Sequence, residues 1–397
     1  MNFKKCVYCG QDKPLADFSD EHIWPDALGG DSLDRFWRTE DVCERCNNLS
    51  GLFVDGAFIR SMFGQSERAI GAWEYIDVTK PGSTILPLYY CGQLKSPALG
   101  SDETAEYWAG PCGANILHVR PADIEDQWAS YAGGDPRAKK IAAGRAYMAL
   151  TSGRLFWVHV SLNSFKAHFK RAQRFVTNLQ LDPPAAEYFK TNMVDPNDPL
   201  RARDMEVMEQ VISAAKEKRF LKLSLVIKLD TGTRMLAKLG LAVGYKLFGI
   251  EFLDSEYAAT LRLGLWERDP NKRKNYPVYG TGYLGQQPFP DLKGILNWLG
   301  GWLLLLKVSA GKLMLFVVTP TGRTMSVMIT DSAVFLERLD ESFTEGKVWL
   351  TIPGLSRGEG PLGLPDYLAH RADVREVSVL KAIEAMRVDR SSLPPCI

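Results

Sequence analysis

Residues 6–47 read CVYCGQDKPLADFSDEHIWPDALGGDSLDRFWRTEDVCERCN. Two Cys-x-x-Cys pairs bracket the stretch, Cys6 with Cys9 and Cys43 with Cys46. Such pairs present four thiolates that close tetrahedrally on Zn²⁺, the usual arrangement of a structural site. The segment from Gly10 to Val42 is longer than the loop of a minimal zinc ribbon, so it must form structure of its own. Inside it lie Glu21-His22-Ile23-Trp24-Pro25 and Gly29-Gly30, and Asn47 follows the last cysteine directly.

The rest of the chain bounds the reading. Its 397 residues suggest two or three domains. A hydrophobic content of 46% and a charged content of 24% describe a globular protein and exclude wholesale disorder. The formal net charge is +1, so any surface for a polyanion must be a local patch. Cys91, Cys112 and Cys396 are scattered; with the clustered pairs they indicate metal binding in a reducing compartment, not a disulfide framework. The N-terminus lacks a signal-peptide pattern, and the apolar run from Ile295 to Leu306 is shorter than the ~20 residues of a membrane span. A cytoplasmic location without membrane contact is therefore expected.

The pattern CxxC…EHIxPxxLGG…CxxCN resembles the HNH endonuclease superfamily, in the branch with Glu-His at the first position and Asn at the last. The resemblance covers about residues 5 to 60. It implies a ββα-metal module in which a β-hairpin leads into a helix, with the structural zinc behind the active site. It makes His22, at the end of the first strand, the general base. It makes Glu21 and Asn47 the oxygen ligands of a divalent cation. The chemistry suits these residue types: an imidazole titrates near physiological pH and can take a proton from the attacking water. Carboxylate and amide oxygens suit Mg²⁺ or Mn²⁺, which neutralise charge on a phosphodiester in transit. The middle Asn of the fuller motif falls near Arg38 and Thr39 here, which leaves open what orients His22. Asp55 matches a recurrent acidic residue on the helix and is carried as an accessory position.

The expected fold class is α+β, with the module at 1–63, a connector at 64–100 and a mixed α/β region at 101–397 that divides near 230. Helices are expected over Ala138–Leu150, Phe165–Leu179, Ala202–Arg219, Thr231–Phe248 (capped by Thr231 or Thr233), Ser255–Arg268 and Val374–Met386. Leu155–Val160 and Leu221–Leu229 read as strands. Leu303–Val308, Lys312–Val318 and Thr324–Ile329, separated by Ser-Ala-Gly and Pro-Thr-Gly turns, read as a three-stranded meander. For nucleic-acid contact the candidates are Arg45, Arg38 and a helical stripe of Lys166, Lys170 and Arg174, with Arg234/Lys238 and Lys272-Arg273-Lys274 as further basic groups.

The partner implied is DNA, the setting restriction or anti-phage defence, and a homodimer the natural route to a double-strand break. Two alternatives stay open. One is a non-catalytic zinc module that binds DNA or protein. The other is a nuclease effector switched on by a nucleotide signal bound to the C-terminal region, with a small-molecule or phage-derived trigger as its partner.

Overall fold

The computed structural model describes residues 2–96, 98–123, 127–139, 144–171, 201–217, 221–228 and 230–396. Contacts group Met1–Tyr75 with Lys228–Arg387 in one compact unit, and Ile76–Ile227 with Val388–Ile397 in a second. The segment 1–63 lies inside the first unit; the segment 64–100 begins within the helix Met62–Ala72 and contains the strand Tyr89–Leu94 of the second. Helices and antiparallel sheets occur throughout, which bears out the α+β class.

In the first unit, strand Phe3–Lys5 pairs with Asp12–Pro14 around the first cysteine knuckle. Strand Phe18–His22 then pairs with Arg38–Cys43, which runs into the helix Glu44–Ser50. The hairpin-then-helix order is the one the resemblance implied. Between the paired strands, Pro25 to Ser32 makes two short 3-10 turns, and its two glycines are required there. Gly29 has φ +92°, a left-handed conformation that side-chain-bearing residues avoid. At Gly30 a Cβ would stand 1.9 Å from the carbonyl oxygen of Trp24.

The meander is present as Trp302–Ser309, Lys312–Val318 and Thr324–Thr330. It grows into six strands, with Gly280–Thr281 on one side and Lys347–Ile352 and Arg357–Gly363 on the other. Its continuous apolar runs have a simple cause: both faces are buried, so both sets of alternating side chains must be apolar. Trp302, Leu304, Leu306, Leu315 and Val327 face a core shared with Trp24, Trp37, Phe58 and the helix Thr231–Phe248. Leu303, Leu305, Phe316 and Leu350 face a second core with Trp298, Tyr367, Leu380 and Ile383. Trp24 and Trp37 are wholly buried, and their rings meet Trp302 and Trp349 at centroid distances of 5.7 and 5.4 Å. They are core residues.

In the second unit, five antiparallel strands run in the order Arg145–Ala149, Asn115–Pro121, Glu103–Ala109, Tyr89–Leu94, Leu223–Ser224. The helix Leu155–His168 packs one face and the helix Arg201–Lys216 the other.

Several local expectations are corrected. Arg145–Ala149 is a strand, not part of a helix, because it completes the sheet edge against Asn115–Val119. Leu155–Val160 is the start of a helix, not a strand; a short apolar run fits either period, and packing against the sheet decided. That helix ends at His168, and residues 172–179 of the expected helix lie outside the described residues. Among the described residues of Leu221–Leu229, only Leu223–Ser224 is paired. Neither Thr231 nor Thr233 caps the helix Thr231–Phe248, whose N-cap position is Asp230 without a side-chain bond. Ser255 does cap Glu256–Trp266, accepting from the backbone N–H of Ala258. The last helix is shorter than expected, Ser378–Glu384.

Cys112 and Cys396 form a disulfide, with Cα atoms 5.3 Å apart, so the expectation of a chain without disulfides is corrected for this pair. Among the described residues, no helix is long and apolar enough to cross a membrane.

Candidate active site

The paired strands and the helix bring Cys6, Cys9, Cys43 and Cys46 together, with all four sulfurs within 4.8 Å of one another. Zinc at about 2.3 Å from each sulfur requires sulfurs roughly 3.8 Å apart, so the cluster fits a structural zinc site. The crowding has an electrostatic signature. Hydrogen bonds with Cys46 and Cys6 push the Cys9 thiol down to about 3, while those with Cys6 and Cys9 push Cys46 far up. Four thiols that compete for few protons are the donor set that a soft cation relieves. The cluster ties the knuckle to the helix: the backbone N–H of Cys43 donates to Cys6 Sγ at 3.3 Å.

His22 ends its strand opposite Arg38. Its side chain is 29% exposed, and Nε2 lies 3.2 Å from Asp31 Oδ1, on a carboxylate that is 66% exposed. Arg38 holds this carboxylate through Nη2, which also donates to the Asp31 carbonyl at 3.0 Å. The other guanidinium nitrogen is 3.9 Å from Asp20 Oδ2. Ligand atoms of His22, Asp26 and Asp31 all lie within 4.8 Å of one another. This exposed face therefore carries an imidazole, three carboxylates and a guanidinium. A carboxylate can only accept, so in the neutral ring Nε2 carries the hydrogen and Nδ1 keeps its lone pair.

Glu21 points the other way. It is 4% exposed and accepts from the Tyr8 hydroxyl at 3.0 Å. Lys238, from the helix Thr231–Phe248, stands 2.7 Å from Glu21 Oε1 and 2.5 Å from Asp55 Oδ2, and also donates to the His22 carbonyl at 3.2 Å. Lys238 has no exposed surface. Burial alone would lower its basicity, but Asp55 and Glu21 outweigh burial and hold the ammonium above its usual value. Burial pushes the Asp55 carboxyl up to about 6, against the pull of Lys238. Burial and then Glu21 raise the Tyr8 phenol. The ammonium and the phenol thus share one oxygen of Glu21, Oε1. Asn47, in the helix Glu44–Ser50, donates through Nδ2 to Ser19 Oγ at 3.0 Å and to the Asp20 carbonyl at 2.9 Å. It ties helix to strand with its nitrogen, which leaves Oδ1 as its potential ligand atom.

Asp55, carried as the accessory position, is buried. Arg45 is exposed on the first turn of its helix. Lys166 is on a helix of the second unit and Lys170 lies past its end, while Arg174 lies outside the described residues, so the described residues form no basic helical stripe. The Arg234/Lys238 surface is corrected as well: Arg234 donates to the Leu265 and Phe53 carbonyls, and Lys238 is interior. Arg273 is buried against Asp230, so the basic loop loses its middle member. Sequence reasoning missed Asp31, although it follows Gly29-Gly30 directly, and Tyr8, which sits between the first two cysteines.

No curated protein and no solved structure matches the chain. The paired strands, the four cysteines and His22 fall within residues 6–63, and this segment matches the family model described as HNH endonuclease.

Proposed function

We propose that the protein is a metal-dependent endonuclease that hydrolyses DNA phosphodiester bonds, with His22 as general base. The observation that carries the reading is His22 at an exposed strand end, its Nε2 against Asp31, on a hairpin and helix tied by the four-cysteine cluster. Nδ1 takes the proton of the attacking water, and Asp31 stabilises the imidazolium that forms. Arg38 keeps the Asp31 carboxylate in place and, with the exposed Arg45, offers positive charge to the phosphate backbone. A hard divalent cation, Mg²⁺ or Mn²⁺, bound on this face would neutralise charge on the phosphate and the leaving oxygen. The oxygen donors beside His22 are the carboxylates of Asp26 and Asp31.

The test is cleavage of supercoiled plasmid and of modified phage DNA with Mg²⁺ or Mn²⁺. His22→Ala should lower the rate by about 10²–10⁴-fold while zinc content and fold persist. Wild-type protein that leaves every DNA intact under all divalent ions would overturn the reading in favour of a zinc-bearing interaction module. A defence role would show as reduced phage plating that depends on His22.

A further inference from the structure

Lys238 lies on a helix whose neighbouring positions Ala237, Leu239 and Leu241 are all wholly buried. A lysine there is costly unless its charge is matched, so its partners are informative. An ammonium has three N–H groups, and three acceptors surround this one: Glu21 Oε1, Asp55 Oδ2 and the His22 carbonyl. The shell of donors is complete.

We infer that Lys238 is a positioning residue that occupies the place of a divalent cation on Glu21, which makes Glu21 an anchor of the strand end and not a metal ligand. Three observations converge. Glu21 Oε1 already accepts from both Lys238 and Tyr8. Both groups are buried, Glu21 at 4% and Lys238 at 0% exposure, so the ammonium and not bulk water answers this carboxylate. Any divalent ion brought to Glu21 would also meet the buried ammonium as a like charge. The same ammonium grips the carbonyl of His22, so it sets where the strand ends and from which backbone position the imidazole leaves. A residue far downstream thereby supports the histidine whose motif lacks its middle Asn. The consequence for cleavage rests on the nuclease reading above; the binding test below does not.

The test uses the full-length, zinc-loaded protein without DNA. Mn²⁺ is titrated at pH 8, and free Mn²⁺ is read by its electron paramagnetic resonance signal. Glu21→Gln should keep the Mn²⁺ dissociation constant within about threefold of wild type, and a larger rise overturns the inference. Lys238→Met leaves two carboxylates without their ammonium and should take up one Mn²⁺ more than wild type; equal uptake overturns the inference. Should Lys238→Met fail to fold, the charge-neutral pair Glu21→Gln with Lys238→Met replaces it. That pair should bind Mn²⁺ within about threefold of wild type, and weaker binding overturns the inference. A wild type that binds no Mn²⁺ while Lys238→Met binds one supports the role of Lys238 and removes the metal-dependent reading, so the two failures are distinguishable.

Discussion

Asp31 Oδ1 stands 3.2 Å from Nε2 of His22, and Arg38 grips the same carboxylate from the facing strand. Beside His22, where the motif lacks its Asn, stand a carboxylate from the turn after Gly30 and a guanidinium from the second strand. Asp31→Asn puts an N–H where only an acceptor stood and allows the tautomer with hydrogen on Nδ1. Single-turnover cleavage should fall by about tenfold or more, while Asp31→Glu retains most of the rate. The ¹⁵N shifts of His22 should report the tautomer change. Full activity in Asp31→Asn would show that the carboxylate does not orient the ring.

The zinc module has no core of its own. Trp302 of the six-stranded sheet meets Trp24 at 5.7 Å and Phe58 at 6.3 Å between ring centroids. Trp302→Ala should cost about 3–5 kcal/mol, which corresponds to a fall in Tm of roughly 10 °C for a unit of this size. Cys43→Ser should lose zinc and destabilise the same unit. Calorimetry with metal analysis checks both. Residues 1–63 expressed alone should not give a cooperative transition, even with zinc.

Asp55 predicts a pH signature. Its folded pKa of about 6 lies above the ordinary 3.8, so between these values the folded state binds more protons than the unfolded one. Stability from this group is therefore full below about pH 4 and declines as pH rises to about 6, then stays level. Asp55→Asn removes the titration. The stability of wild type relative to Asp55→Asn should fall by up to about 3 kcal/mol across that window. Urea titrations at closely spaced pH values measure it, and a pH-independent difference would refute it.

The disulfide between Cys112 and Cys396 ties the chain end to a loop of the second unit, where Trp157 Nε1 also donates to the Pro394 carbonyl at 2.8 Å. Cys396→Ser should lower the stability of this unit by about 2–4 kcal/mol. Protease should then trim the C-terminal segment first. An unchanged cleavage pattern in limited proteolysis would show that the bond does not hold the tail.

Much of the candidate site was legible because its signals are local. Paired cysteines, a Glu-His step at a strand end and Gly29-Gly30 each constrain a few neighbouring residues. The meander was legible for the same reason, since short glycine-containing turns join adjacent antiparallel strands. Leu155–Val160 was not legible, because a short apolar run carries no period that separates strand from helix. The strand Lys347–Ile352 was also missed: it joins the sheet beside Trp302–Leu306, across two intervening strands.

By itself the sequence determined the four-sulfur cluster, from residue type and short spacing, and the resemblance it carries implied the hairpin-helix segment and the place of His22 at a strand end. Only the tertiary structure decided which way Glu21 faces and that Lys238 is an interior partner, not a surface cation. The physical reason is burial: the charge on a lysine is the same at every position in a sequence, and only the packing of distant elements determines whether water or a carboxylate answers it.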